Sequence, residues 1–334
     1  MNRIYITLLA LLLFTGISEA QKISVHDPVV MRENNTYYLF CTGWGISVWS
    51  SPDMKEWKRE QAVFSEAPQW AKEAVEGFRG HIWAPDISFY KGKYYLYYSV
   101  SAFGKNTSCI GLATNKTLDP NDPDFQWIDH GKVIQSFPGE TNWNAIDPNL
   151  IVADDGTPYL TFGSFWDGLK LVKMNSEATA PAEDLNAIPT IASRKKSSKE
   201  PNPPSVDDNP KDAGGNAIEA PFIFKKGKYY YLFASIDYCC KGVNSTYKMI
   251  VGRSETIPGP YLDKNGKSLA TGGGTIVLKG NEDWYGVGHN AACTFDGTDY
   301  LIFHGYDAHD NGKSKLIIKK MDWDKDGWPI AEEL

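Results

Sequence analysis

The sequence predicts an all-β chain folded as a five-bladed β-propeller, and three observations carry that reading. Aromatic residues are abundant, with 11 Trp, 18 Tyr and 15 Phe making 13% of 334 residues, a composition that suits half-buried sheet. Helical periodicity is nearly absent, residues 71–78 being the one short helix expected. A Tyr-Leu pair behind a turn signal recurs five times along the chain, and a recurrence at such intervals is the mark of a repeat architecture.

The first element is a targeting segment. Met1-Asn2-Arg3 precedes an apolar stretch over residues 4–17 and then Ser18-Glu19-Ala20. A basic start, an apolar core and small residues before a cut after Ala20 read as a signal peptide. The apolar run falls short of the roughly 20 residues that span a bilayer, so no membrane span is expected after cleavage. Residues 21–334 are then one catalytic-sized propeller, read as a monomer that is secreted or periplasmic. Hydrophobic residues at 42% and charged residues at 22% describe an ordinary globular chain. A net charge of −7 excludes a phosphate-tracking surface, and with it nucleic acid as a partner.

Five cysteines, Cys41, Cys109, Cys239, Cys240 and Cys293, are too few and too scattered for a disulfide scaffold. No zinc spacing occurs among them, and Cys239-Cys240 reads as two packed thiols, with an adjacent-residue disulfide as the alternative. Asn34, Asn106, Asn115 and Asn244 match the glycosylation pattern.

The repeats follow in order: Tyr38-Leu39, Tyr95-Leu96, Tyr159-Leu160, Tyr231-Leu232 and Tyr300-Leu301, at intervals of 57, 64, 72 and 69 residues. Each follows a turn such as Asn34-Asn35, Lys91-Gly92, Asp155-Gly156, Lys226-Gly227 or Asp296-Gly297, which makes each unit a hairpin. Eleven or twelve residues upstream of each Tyr stand Asp27, Trp83, Asp147, Glu219 and His289. In a propeller the innermost strands line a central channel, so these residues are expected level with one another at one mouth of it. A lone Asp-Pro is a common turn pair, and Asp119-Pro120 and Asp122-Pro123 are loop examples. Acids at three equivalent strand entries are another matter, since carboxylates are seldom placed beside buried strands without a purpose.

No nucleophile elbow, phosphate loop or dinucleotide fingerprint is present. Three carboxylates in an aromatic-rich cleft suit glycosidic hydrolysis, in which one acid protonates the leaving oxygen and another carboxylate activates water or attacks. A third acid raises the proton donor's pKa by repulsion.

The order His26-Asp27-Pro28, Ala145-Ile146-Asp147-Pro148 and Ile218-Glu219-Ala220-Pro221 resembles glycoside hydrolase family 43. Trp83-Ala84-Pro85-Asp86-Ile87, Gly163-Ser164-Phe165-Trp166-Asp167-Gly168, Cys239-Cys240-Lys241-Gly242, Ser245-Thr246-Tyr247, Gly252-Arg253-Ser254, Gly259-Pro260-Tyr261 and Gly288-His289-Asn290 are similar to its arabinanases, and the likeness runs from about Ile23 to Pro329. The resemblance implies a five-bladed propeller that cleaves α-1,5-L-arabinan with inversion, endo-acting, on arabinan and the pectic side chains of plant cell walls. It implies Asp27 as general base, Asp147 as the residue that orients and tunes the acid, and Glu219 as general acid. It also implies that His289 approaches a Ca2+ ion otherwise surrounded mostly by water. The alternative for His289 is a residue that only donates to Asp27 or Asp147, because calcium prefers oxygen. Trp83 is the expected sugar-stacking platform, Phe103 and Trp166 are further candidates, and Ile146 and Ser164 match subsite-lining positions. An exo-arabinanase, an arabinofuranosidase and a xylosidase remain alternatives within the family. A sugar-binding propeller without turnover is the alternative outside enzymes.

Two segments need separate readings. Asp322-Trp323-Asp324-Lys325-Asp326-Gly327 with Glu333 satisfies the EF-hand expression, but Pro329 lies inside it and no helix follows, so it reads as a hairpin of the last blade. Residues 194–215, rich in Pro, Ser and Asp, read as a loop overhanging the cleft.

Overall fold

The computed structural model describes residues 23–194 and 216–334; the signal segment and nearly all of the expected 194–215 loop lie outside the described residues. The chain forms five antiparallel sheets, one per repeat. Their inner strands are Val29–Glu33, His81–Tyr90, Asn149–Val152, Ile218–Lys226 and Trp284–Phe295, and each pairs with the strand that carries its Tyr-Leu. Neighbouring inner strands touch in order around a ring, and blade five meets blade one to close it. There Leu316 N–H donates to the Ile23 carbonyl at 3.1 Å and Ser24 Oγ to the Ser314 carbonyl at 2.9 Å. This is the five-bladed propeller that the repeats predicted.

The Tyr-Leu pair has a physical cause. Successive side chains of a strand point to opposite faces, and every blade is covered on both. Tyr38 packs between blades one and two while Leu39 packs between blades five and one. Tyr231 and Leu232 divide in the same way between the blade four–five and the blade three–four interfaces. The core is therefore five separate apolar layers, one between each pair of neighbouring blades.

Three expectations are corrected in detail. The short helix is Gln69–Ala74, starting two residues earlier than expected. Cys239 and Cys240 are joined as a vicinal disulfide and are not packed thiols. Asn106 and Asn115 are buried, whereas Asn34 and Asn244 are exposed, so only the latter pair is open to a glycan in the folded chain. The EF-hand-like stretch is the hairpin between Lys313–Trp323 and Pro329–Ala331. Asp324 spends its carboxylate there on Asp326 N–H, Trp328 N–H and Lys264.

Candidate active site

Every inner strand is entered through a residue in the left-handed region: Asp27 (φ 54°), Ala84 (φ 44°), Asp147 (φ 58°), Ala220 (φ 55°) and His289 (φ 54°). Each lies two residues before the pair that opens the regular ladder, at Val29, Asp86, Asn149, Phe222 and Ala291. In blades two, four and five the ladder resumes beyond these residues with a register shift, and such bulges re-aim side chains. The sequence reading set Trp83 and Glu219 level with Asp27, Asp147 and His289. In the structure Ala84 and Ala220 hold those places. Trp83 and Glu219 come one residue earlier, level with His26, Ile146 and Gly288. The offset was hidden because the blade-three hairpin, closed by Ala153 N–H to Thr157 O, is one residue longer than the others.

A second ring fixes the first. The left-handed backbone N–H of each blade donates to a side chain from the preceding one. Asp27 N–H meets His304 Nδ1 at 3.1 Å, Ala84 N–H meets Thr42 Oγ1 at 2.8 Å, Asp147 N–H meets Ser99 Oγ at 3.0 Å and His289 N–H meets Ser235 Oγ at 2.8 Å. Blade three carries Gly163 at this place, because φ there is +125° and a Cβ would lie 2.7 Å from the Gly168 carbonyl oxygen. Asp147 Oδ2 takes over and accepts Ala220 N–H at 3.0 Å.

The three acids are brought together at one mouth of the channel, and each is buried differently. Asp27 Oδ1 lies 2.8 Å from His26 Nδ1 and 3.0 Å from His289 Nδ1, and its Oδ2 accepts from Thr42 Oγ1 at 2.5 Å. Burial alone would raise this carboxyl, but attraction to the two imidazoles and their hydrogen bonds outweigh it and hold Asp27 well below the carboxylate range. Asp147 is raised by burial and by the nearby charges of Glu219 and Asp27, against the opposing pull of His289. Glu219 is also raised by burial, although Tyr247 OH at 2.7 Å and Ser164 Oγ at 2.8 Å donate to its two oxygens. Tyr247 reaches Glu219 across Gly288, where any Cβ would lie 2.3 Å from the tyrosine ring. His289 is raised to about 9; burial opposes this, but the charge and hydrogen bond of Asp27 prevail.

One cleft of about 690 Å3 takes in Asp27, Asp147, Glu219 and His289 together with Trp83, Phe103, Ile146, Ser164 and Trp166. Every candidate catalytic, substrate and metal residue read from the sequence therefore lines the same space. Trp83 is held by its indole N–H on His81 Nδ1 at 2.9 Å, and Phe103 is 78% exposed on the rim. Trp166 (φ 41°) sits on a turn pinned by Asp167, whose carboxylate binds Lys170 and Thr190, and by Asn216 Nδ2 donating to the Trp166 carbonyl at 2.6 Å. Sequence reasoning missed Thr42, His304 and Tyr306, which carry no motif and reach the site only through blade packing; Tyr247 was quoted within an arabinanase-like stretch but given no role. A carboxyl with a lowered pKa, a second acid whose pKa burial raises and aromatic walls are the parts that acid–base glycoside hydrolysis requires.

The model of glycosyl hydrolases family 43 matches residues 21–329. The chain belongs to this family. An extracellular exo-α-(1→5)-L-arabinofuranosidase of Cellvibrio japonicus is 50% identical over 98% of this chain and 92% of its own. An extracellular endo-α-(1→5)-L-arabinanase of Bacillus subtilis is 42% identical over 91% and 87%. Among solved structures, the Cellvibrio cellulosa α-L-arabinanase complexed with arabinohexaose superposes with a TM-score of 0.87 at 49% identity, covering 93% of this chain and 96% of that one. The family 43 chain is thus a glycoside hydrolase of the arabinanase type. No helix among its described residues is long and apolar enough to cross a membrane.

Proposed function

We propose that this family 43 enzyme is exported through its residue 1–20 signal and hydrolyses α-1,5-L-arabinofuranosidic bonds of arabinan with inversion. The observation that carries the chemistry is one cleft holding two carboxyls shifted in opposite directions: Asp27 lowered by its contacts with His26 and His289, Glu219 raised by burial. Asp27 as general base takes a proton from the attacking water, and Glu219 as general acid gives its proton to the leaving oxygen. Asp147 holds the Ala220 amide beside the acid and so fixes where Glu219 points. Trp83, with Phe103 and Trp166, offers ring faces for sugar stacking, and Ile146 and Ser164 line the floor.

Endo action is the mode read from the sequence, and the 42% identical Bacillus subtilis relative carries an endo name. Exo action is the second reading, favoured by the exo name of the 50% identical Cellvibrio japonicus relative. Products of debranched linear arabinan, followed over time by chromatography, separate the two. Mixed oligosaccharides from the start mean endo action, and one short product from the start means exo action. No arabinan product alongside release from xylan or aryl glycosides would discard this substrate.

A channel Ca2+ at His289 belongs to the same proposal. The residue fits on one side: Asp27 engages Nδ1, the pairing that orients histidine ligands, and leaves Nε2 as the ring's other donor. The ion would add positive charge beside the acids. Chelation should lower the thermal midpoint, calcium should restore it, and His289→Ala should lose that response; a midpoint indifferent to both would discard the ion.

A further inference from the structure

We propose that Tyr306 is a positioning residue for the general base, and that the Cys239–Cys240 disulfide is the clamp that sets its direction. The inference rests on the reading of Asp27 as that base.

A tyrosine hydroxyl accepts two hydrogen bonds and donates one. The backbone N–H of Cys240 donates to Tyr306 Oη at 2.7 Å. His304 Nδ1 already accepts Asp27 N–H, so its proton resides on Nε2, which lies 3.2 Å from the same Tyr306 oxygen. With two N–H groups aimed at it, Tyr306 sends its own proton to His26 Nε2, 2.7 Å away. His26 is thereby fixed as the tautomer with its proton on Nδ1, the nitrogen that meets Asp27 Oδ1 at 2.8 Å. The opposite tautomer would turn a nitrogen lone pair toward the carboxylate, and its orientation would no longer be set. Stacking on His304, with ring centroids 3.8 Å apart, keeps the His26 ring from turning away.

The disulfide enters through the first donor. The N–H that reaches Tyr306 belongs to the peptide between Cys239 and Cys240, and the S–S bond closes that peptide into a small ring. The amide direction is thus set covalently. Cys240 Sγ also stands 3.9 Å from His26 Nε2. The surrounding turn is tied by Thr246 N–H to the Tyr238 carbonyl at 2.9 Å and by Lys241 N–H to Ser245 Oγ at 3.1 Å. The hydrogen-bonded line from the cleft wall to the base therefore runs from the Cys240 amide through Tyr306 and His26 to Asp27.

The test compares Tyr306→Phe and the double variant Cys239→Ala/Cys240→Ala with the parent on linear arabinan, and reads the His26 tautomer by 15N NMR. Both variants are expected to lose kcat on the order of tenfold with KM within about twofold, as befits a group acting on the chemical step. The His26 ring should move from a pure Nδ1–H signature to a mixture. A purely structural role would leave that signature unchanged. Retention of kcat and of the Nδ1–H signature by either variant overturns the proposal, and the disulfide variant decides if Tyr306→Phe does not fold. Asp27→Ala serves as the control: it should abolish turnover, and retained turnover would overturn the base assignment instead.

Discussion

Asp147 Oδ2 accepts the backbone N–H of Ala220 at 3.0 Å, the bond that a hydroxyl or an imidazole makes at every other blade junction. One carboxylate thus completes the hydrogen-bond ring of the channel and holds the residue that follows Glu219. Gly163 makes this necessary, because its backbone leaves no room for a side chain that could do the work.

Asp147→Ala should therefore cost stability as well as turnover. It leaves a buried N–H unsatisfied, which costs about 1–3 kcal/mol, and frees the backbone beside Glu219. Thermal unfolding and kcat should fall together, and a fully stable, slow variant would confine Asp147 to an electrostatic role.

Loss of the base and loss of the acid should differ by substrate. Asp27→Ala should abolish hydrolysis of arabinan and of aryl arabinosides alike, since water must always be activated. Glu219→Ala should spare substrates whose leaving group needs little protonation. Equal losses on both substrate classes would contradict the assigned roles.

Tyr247→Phe tests the tuning of Glu219. The Tyr247 hydrogen bond pulls the Glu219 pKa down against the upward push of burial. Without it the acid keeps its proton to higher pH, so the alkaline limb of kcat/KM should move upward. A limb that stays or falls would show that another group sets it.

The Asp27–His289 pair should leave a signature in stability against pH. The raised value of His289, about 9, contributes stability that is complete below its unfolded value near ~6.5 and is lost as pH rises through the folded one. The lowered Asp27 contributes above about 3.9 and is lost as pH falls through its folded value. The midpoint difference between the parent and His289→Gln should thus be greatest near ~pH 5–6 and shrink on the alkaline side; a difference that grows with pH would contradict the pairing.

Trp83→Ala should raise KM more than it lowers kcat. A stacked ring is worth about 1 kcal/mol, a roughly fivefold effect, and Michaelis kinetics on linear arabinan would show it.

By itself the sequence determined the number of blades and pointed to three acids that share one cleft. Both were legible because they are local. A strand buried on both faces must carry an apolar side chain at each of two successive positions, so Tyr-Leu recurs wherever two interfaces need filling. An acid at a strand entry likewise announces itself within two residues of a proline. Only the tertiary structure decided the rest. The left-handed entry that aims Asp27, Asp147 and His289 one way and Glu219 and Trp83 another is a matter of register, which a hairpin one residue longer conceals. His26, His304 and Tyr306 meet around Asp27 because blade five closes on blade one, bringing together residues about 280 positions apart. No spacing along the chain encodes that closure; it follows from packing five twisted blades around one axis.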